Sequence, residues 1–85
     1  MAAHAAGNRT IAATKSQTVV GEYNVEDNPN DDHKDRGNYA FIVGNGTSNN
    51  ARSNAFTIDW DGNLVLFNAG TPVVLTPAKL AQLIA

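Results

Sequence analysis

Acidic residues are the strongest candidates for chemistry in this chain. Asp59 and Asp61 flank Trp60, and in a strand this spacing places both carboxylates on one face. Paired carboxylates can perform acid/base catalysis, but the sequence offers them no second catalytic group and no basic partner. We therefore interpret Asp59 and Asp61 as turn and strand-edge residues and predict no catalytic residue.

A second acidic cluster could supply ligands to a divalent cation. It contains Asp31, Asp32, His33 and Asp35, which carry oxygen and imidazole donors. The cluster lacks the Gly-centred spacing of a calcium loop, so we interpret it as part of a solvated loop and predict no metal and no cofactor. The chain has no Cys, and both of its His residues lie in predicted loops or chain ends, which leaves no base near a Ser or Thr. The chain is therefore not expected to be an enzyme.

Two glycines and two polar side chains are assigned structural roles. Gly44 and Gly46 follow a predicted strand, but no helix pattern and no third Gly come after them, so we predict a tight turn with positive φ instead of a dinucleotide-binding loop. Arg52 carries five donors in a rigid fork, which suits it to join neighbouring chains. We predict that Arg52 and Asn54 make polar contacts between subunits, with simple solvent exposure of Arg52 as the alternative.

The size and composition of the chain limit its class. Its 85 residues form one domain, spanning 1–85, and a chain this short has a marginal core when it folds alone. Without Cys it has no disulfides, which leaves oligomerisation as a source of further burial. A formal charge of −2, with six Lys and Arg, argues against nucleic-acid binding. The apolar runs are too short for a signal peptide or a membrane span, so a soluble chain made in the cytosol is expected.

Residues 4–27 contain a weak repeat. His4-Ala5-Ala6-Gly7 and Thr18-Val19-Val20-Gly21 lie fourteen residues apart, and Ile11-Ala12-Ala13 between them is a second candidate for a short strand. This spacing suggests coils of short strands, although chance similarity in an Ala- and Thr-rich segment explains it equally well. Residues 28–38, rich in Asn and Asp, are predicted to form an acidic loop.

Residues 39–67 carry the best strand signals. Tyr39 to Val43 is apolar on both faces, so both faces should be covered. Ala55 to Trp60 alternates between apolar and smaller or polar residues, as expected for a strand with one buried face. Asp61-Gly62 is a strong hairpin signal, and Leu64 to Phe67 is the predicted partner strand.

Residues 71–85 are predicted to form a short strand, Val73 to Leu75, and a two-turn helix. Thr76 can cap this helix, and Pro77 suits its first position because proline has no N–H to leave unpaired. The apolar stripe of the helix consists of Leu80, Leu83 and Ile84. A helix of this length does not persist alone in water, so it needs a docking surface. We predict that it anchors the chain to a larger particle, with capping of the chain's own trimer as the alternative.

The central run resembles a segment found in fibre and appendage proteins of tailed phages. It comprises Tyr39-Ala40-Phe41-Ile42-Val43-Gly44-Asn45-Gly46-Thr47-Ser48 and then Arg52-Ser53-Asn54-Ala55-Phe56-Thr57-Ile58-Asp59-Trp60-Asp61-Gly62-Asn63. Upstream, Gly7-x-x-Thr10-x-Ala12 and the run from Thr18 to Asp27 resemble the approach to that segment. There, fourteen-residue repeats like those in the heads of trimeric adhesins build a left-handed β-roll. The run from Thr71 to Leu80 is similar to the ends of some phage head fibre proteins.

The resemblance implies both a fold and a function. The expected fold is mainly β, an intertwined homotrimeric β-roll or β-prism-like fibre domain with a β-hairpin and a short C-terminal helix. The expected function is that of a non-enzymatic virion protein, a trimeric head fibre or capsid decoration protein on the particle surface. A receptor-binding or trimerisation module of a tail fibre is the alternative, in which the Asn- and Asp-rich loops 28–38 and 45–54 contact a host-surface glycan. The expected partners are further copies of the chain and a capsid or other virion protein.

In such a trimer, strands from three chains would share one core around a common axis. This arrangement would supply apolar burial that a single short chain lacks. The residues predicted to form the shared core are Phe41, Ile42, Phe56, Ile58, Trp60 and Phe67.

Overall fold

Six strands and one helix follow one another along the chain. The computed structural model describes residues 3–27, 37–68 and 71–84. The elements are β1 (His4–Ala5), β2 (Thr18–Glu22), β3 (Tyr39–Asn45), β4 (Asn54–Asp59), β5 (Leu64–Asn68), β6 (Thr71–Leu75) and α1 (Pro77–Ile84). The strands form one mixed sheet in the order β1-β2-β3-β4-β5-β6. The prediction of a mainly β chain with a short C-terminal helix is therefore confirmed.

β2 pairs in parallel with β1 on one side and with β3 on the other. The fourteen-residue spacing of the weak repeat equals the offset between paired residues of β1 and β2. His4 pairs with Thr18, an offset of fourteen residues, and Thr18 pairs with Phe41, an offset of twenty-three. The second connection is thus nine residues longer than the first, which is the length of segment 28–36. That segment, which holds most of the predicted acidic loop, lies outside the described residues.

Residues 11–13 do not form the predicted second short strand, so that prediction is wrong. The backbone N–H of Ile11 donates to Asn24 Oδ1 at 2.7 Å, and Asn24 Nδ2 donates to the carbonyl oxygen of Ile11 at 3.0 Å. One buried side-chain amide therefore satisfies both polar backbone groups of Ile11. At Ile11 this side-chain amide takes the place of a neighbouring strand as the hydrogen-bond partner of the backbone.

A column of glycines allows the three parallel strands to approach closely. Gly7 and Gly21 follow the fourteen-residue offset, and Gly21 pairs directly with Gly44. A Cβ atom at Gly7 would overlap the carbonyl oxygen of Gly21, and a Cβ atom at Gly21 would overlap that of Gly44. Each position in the column therefore requires a residue without a side chain.

The prediction that Gly44 and Gly46 adopt positive φ in a turn is wrong. Gly44 lies within β3, and neither glycine has a positive φ. A Cβ atom at Gly44 would lie 2.6 Å from the carbonyl oxygen of Glu22, and one at Gly46 would overlap the carbonyl oxygen of Tyr23. Close approach of other backbone segments, rather than a left-handed conformation, requires glycine at both positions.

The remaining strand pairs are antiparallel. β4 and β5 form the predicted hairpin, in which Ile58 lies opposite Leu64. Asp61 and Gly62 lie in the connecting turn, and Gly62 has a φ of +86°. Glycine tolerates this left-handed conformation, so the hairpin signal in the sequence acts for the expected reason.

β6 forms one edge of the sheet. It begins at Thr71, two residues before the predicted strand, and it includes Pro72. Proline is tolerated in an edge strand because the N–H that it lacks can belong to the side without a ladder partner.

α1 begins with the predicted cap. Thr76 Oγ1 accepts a hydrogen bond from the backbone N–H of Lys79 at 3.2 Å, and Pro77 is the first helical residue. None of the helical residues is buried, and Leu83 and Ile84 are 72% and 87% exposed. No helix among the described residues is long and apolar enough to cross a membrane.

The sheet is a single layer. Among the described elements, extensive contacts join only strands that are hydrogen-bonded neighbours, and α1 packs extensively against none of them. On one side of β2, β3 and β4, the side chains of Val19, Ile42 and Thr57 are fully buried. The connections between strands cover this side, with Gln17 and Asn24 buried in them. No described element covers the other side of the sheet.

Candidate functional site: the open face of the sheet

The strand register places nine apolar side chains on the uncovered side. Residues that lie directly opposite each other in paired strands point to the same face, so each ladder extends a row across the sheet. One row contains Phe41, Ile58, Leu64 and Leu75, and the other contains Val20, Val43, Phe56, Leu66 and Val73. We call these nine residues the open face. None of them is buried.

The open face has the size and chemistry of an interaction surface. Five strands spaced by about 4.8 Å and two residue rows give it on the order of 300 Å² in projection. The nine residues include no Asp, Glu, Lys or Arg. Beyond Phe41 the first row continues through two polar residues, Thr18 on β2 and His4 on β1. Leu66 and Val73 are each 47% exposed. The largest apolar patch on a typical soluble monomer covers about 300 to 600 Å² and is often functional.

An aromatic pair lies within the open face. The rings of Phe41 and Phe56 meet edge to face, with centroids 6.4 Å apart and an interplanar angle of 66°. Such a pair contributes about 0.5 to 1.5 kcal/mol beyond its burial and holds both rings in defined orientations. It offers a partner a preformed apolar anchor.

The six predicted core residues fall in three different places. Phe41, Phe56 and Ile58 belong to the open face, as the alternation of their strands indicated. Ile42 points to the opposite side and is 0% exposed within its own chain, so it has no surface left to bury against a partner. The remaining two lie elsewhere, Trp60 in the turn after β4 and Phe67 on the opposite side of β5.

Six members of the open face were not among the predicted core residues. They are Val20, Val43, Leu64, Leu66, Val73 and Leu75. The pairing register identifies them. Because Ile58 lies opposite Leu64, Leu64 and every second residue of β5 after it lie on the same side of the sheet as Ile58.

Arg52, a predicted intersubunit residue, binds within the chain. Its Nη1 donates to the carbonyl oxygens of Arg9 and Asn24, both at 3.1 Å, and its Nη2 donates to Asn49 Oδ1 at 2.8 Å. The guanidinium also lies over the ring of Tyr23, 5.4 Å from its centroid. Arg52 therefore joins three connecting segments of its own chain, which is the structural role that its fork of donors suits.

Asn54, the second predicted intersubunit residue, is also occupied within the chain. It is only 7% exposed, and its Oδ1 accepts a hydrogen bond from the backbone N–H of Val25 at 2.8 Å. This bond ties the start of β4 to the segment that follows β2.

A buried carboxylate fixes the two ends of the long second connection. Asp27 accepts hydrogen bonds from Gln17 Nε2 at 2.9 Å and from the backbone N–H groups of Asn38 and Tyr39 at 2.8 and 3.0 Å. Burial of the phenol raises the pKa of Tyr39, and the charges of Asp27 and Asp59 raise it further. Asp27 therefore holds the start of β3 beside the end of the previous segment, and its hydrogen bonds assign it a structural role.

The paired acids of the hairpin also have a structural explanation. The Asp59 carboxylate accepts hydrogen bonds from the backbone N–H groups of Asp61 and Asn63 and from Asn63 Nδ2, each at 2.9 Å. Partial burial raises the pKa of Asp59, but the hydrogen bonds from Asn63, Asp61 and Gly62 outweigh it, so the pKa lies below the ordinary 3.8. Asp59 organises the turn as an anion.

We expect Asp59→Asn to destabilise the protein by about 1 kcal/mol at pH 7, because the amide has one acceptor oxygen and no charge. Because the pKa of Asp59 is lower in the folded protein than in the unfolded chain, its ionised form stabilises the folded state at any pH above the unfolded pKa. This contribution is lost as the pH falls through the pKa of the folded state. The difference from wild type should therefore shrink below about pH 4 in urea unfolding experiments. Asp61→Asn makes the same chemical change on an exposed residue of this turn and should have little effect. A pH-independent difference would contradict this role for Asp59.

The described residues contain no cluster that could hold a metal. No three His, Cys, Asp or Glu residues in the described ranges lie close enough to bind an ion, and Asp31, Asp32, His33 and Asp35 lie outside those ranges.

The described residues also form a cleft with mixed polar and aromatic walls, and its volume is about 440 Å³. It is lined by Val25, Glu26, Asp27, Asn38, Tyr39, Arg52, Ser53, Asn54 and Phe67.

Comparison with known proteins identifies no family for this chain. A scan against models of protein families, a search of curated proteins and a search of solved structures each give no match. The resemblance to phage fibre proteins therefore stays a prediction, and a function must be inferred from the chain's own residues.

Proposed function

We propose that the chain is a non-enzymatic structural protein that forms a homotrimer on the surface of a tailed-phage particle, as a head fibre or capsid decoration protein. The observation that carries this proposal is the open face, an apolar sheet surface that no other part of the described chain covers. The resemblance of residues 39–63 to phage fibre segments is the basis for proposing a phage particle as the location and three as the number of subunits.

The open face needs a partner because the chain alone has a small core. Among the described residues only two hydrophobic side chains, Val19 and Ile42, are buried. Stable domains pack at least two layers of secondary structure around a core, and here one layer is present. A second layer from another molecule would convert the nine half-buried or exposed side chains of the open face into core residues.

Copies of the same chain are the partner that best suits this surface. A permanent partner is required, since the sheet would otherwise expose its apolar face throughout its lifetime, and most permanent assemblies of soluble proteins contain identical subunits. The open face also carries no charged residue that could select a partner of complementary charge. Three sheets that turn their open faces toward one axis would form a β-prism-like core.

α1 is the proposed anchor to the particle. Leu83 and Ile84 form an exposed apolar end on a helix that is too short to be stable alone, so a docking surface on a capsid or other virion protein would stabilise it. The virion surface is accordingly the proposed location of the protein.

Binding to purified particles tests this assignment. In particles of the phage that encodes the chain, we expect the protein to be present, and we expect the double substitution Leu83→Ser with Ile84→Ser to lose co-sedimentation with particles while trimers still form. The matched control is Ala81→Ser with Gln82→Ser, which alters exposed positions beside the stripe. Absence of the protein from purified particles would overturn the proposed function. Undiminished binding of the stripe variant would place the anchor elsewhere.

A receptor-binding or trimerisation module of a tail fibre is the second candidate function. The cleft favours its receptor-binding form, because Tyr39, Phe67 and Arg52 offer stacking surfaces and polar groups of the kind that bind sugar rings. The cleft also lies beside the ends of both loops, 28–38 and 45–54, that the sequence assigned to glycan contact. Loss of host adsorption after deletion of 28–36 would support this candidate. Unchanged adsorption with altered particle stability would support the head protein.

A further inference from the structure

The structure carries a second apolar surface on the hairpin formed by β5 and β6. We infer that this hairpin is held between two other copies of the chain, with one copy on each of its sides. The inference rests on the proposed homotrimer and extends it, because it specifies how each subunit contacts both of its neighbours.

The side of the hairpin opposite the open face keeps apolar surface exposed. One row of paired residues crosses that side of the sheet through Val19, Ile42, Thr57, Val65 and Val74. The first three are 0% exposed, Val65 is partly exposed, and Val74 is 44% exposed. The described connecting segments that cover β2, β3 and β4 therefore leave part of this side of the hairpin exposed, while Phe67 lines the cleft with Val25 and Asp27.

The two sides of the hairpin are apolar to a similar degree. On β6, the neighbouring residues Val73 and Val74 point to opposite sides and are 47% and 44% exposed. On β5, Leu66 belongs to the open face and Phe67 to the opposite side. A strand with one side in water alternates between apolar and polar residues, and this hairpin does not.

The sequence of the hairpin is typical of strands that are buried on both sides. Leu64-Val65-Leu66-Phe67 and Val73-Val74-Leu75 are continuous apolar runs. Such runs occur where a sheet is covered on both faces, whereas half-solvated strands alternate. In the described part of the single chain, both runs keep exposed side chains, Leu66 and Val73 on one side and Val74 on the other, so we infer that other molecules complete the covering of both sides.

The symmetry of a ring explains why both sides need copies of the same chain. In a two-fold dimer one patch meets its own equivalent, which would cover the open face and leave the side of Val74 in water. In a closed ring of three, each subunit presents two different surfaces to two neighbours. The open face alone, on the order of 300 Å² in projection, is also small beside the roughly 800 Å² per partner of a standard stable interface.

Adjacent substitutions on β6 test the inference. We expect Val73→Asp and Val74→Asp each to raise, by at least about tenfold, the protein concentration at which half of the chains are trimeric, because each buries an unpaired carboxylate in one of the two contacts. Asn50→Asp, which adds the same charge on an exposed loop, should leave that concentration unchanged. Sedimentation equilibrium measures the assembly, and circular dichroism checks that each variant retains its β structure.

The outcomes separate this inference from the proposed function. Wild-type assembly in Val74→Asp combined with dissociation of Val73→Asp would overturn the two-sided contact and leave the trimer through the open face intact. Val74→Thr, which keeps the shape and the strand preference of valine, should weaken assembly less than Val74→Asp does. If it weakens assembly equally, local packing rather than burial of the added charge is responsible, and the inference fails. A monomeric wild-type protein would contradict the proposed function itself.

Discussion

Gly21→Ala is expected to abolish folding or to destabilise the protein by about 3 kcal/mol or more. Gly21 has a φ of +95°, a conformation that costs an L-residue about 1 to 3 kcal/mol. The added methyl group would also overlap the carbonyl oxygen of Gly44, and a clash with backbone cannot be relieved by a side-chain rotation. For a chain of 85 residues, whose whole stability is about 4 to 13 kcal/mol, this loss is large.

Gly62→Ala separates the two contributions to that loss. Gly62 has a similar positive φ of +86°, but a Cβ atom there meets only the side chain of Pro77, at 3.7 Å. Its substitution should therefore cost about 1 kcal/mol, from the backbone conformation alone. Urea unfolding followed by circular dichroism gives both values. Equal destabilisation by Gly21→Ala and Gly62→Ala would show that the close approach of β2 to β3 is not the reason why position 21 requires glycine.

Phe56→Asp is expected to abolish the trimer. Phe56 lies in the middle of the open face and packs edge to face against Phe41. In the proposed assembly the new carboxylate would be buried against neighbouring subunits without a partner, at a cost of several kcal/mol. In the single chain the same position is partly exposed, so the carboxylate can remain hydrated and the monomer can still fold.

The thermal midpoint measured at several protein concentrations detects this change. The wild-type midpoint should rise with concentration because assembly stabilises the folded state, while that of Phe56→Asp should be lower and independent of concentration. Phe56→Leu, which keeps an apolar side chain, should retain the trimer. Asn50→Asp adds the same charge on an exposed loop and should behave as wild type. If Phe56→Asp behaves like Asn50→Asp, the open face is not the subunit interface.

Local chemistry made some elements predictable. The hairpin and α1 were predicted correctly because their signals lie in adjacent residues, Asp61-Gly62 at the turn and Thr76-Pro77 at the cap. The fourteen-residue spacing likewise corresponds to the offset between β1 and β2. In each case the residues that determine the structure are close in sequence or repeat at a fixed distance.

Contacts between distant residues made other features unpredictable. Residues 11–13 form no strand, and the backbone of Ile11 is bonded instead by Asn24, thirteen positions further along the chain. Gly44 is required by the close approach of Glu22 and Asn24 rather than by a turn. Arg52 reaches the carbonyl oxygen of Arg9 across forty-three positions. None of these partners is marked in the local sequence.

The open face was predictable only in part. Alternation within β4 placed Phe56 and Ile58 on one apolar face, but β3 is apolar on both faces, so the sequence could not show that the chain's own connections cover the side of Ile42. It also could not extend the face to β6, since that requires the register of two further strand pairs.

The mass of the protein in solution tests the central claim most directly. Sedimentation equilibrium at micromolar concentration should give about 27 kDa, three times the 9.0 kDa of one chain. The claim that the open face is the core of a homotrimer would be contradicted by a mass of 9.0 kDa for a stably folded chain under the same conditions.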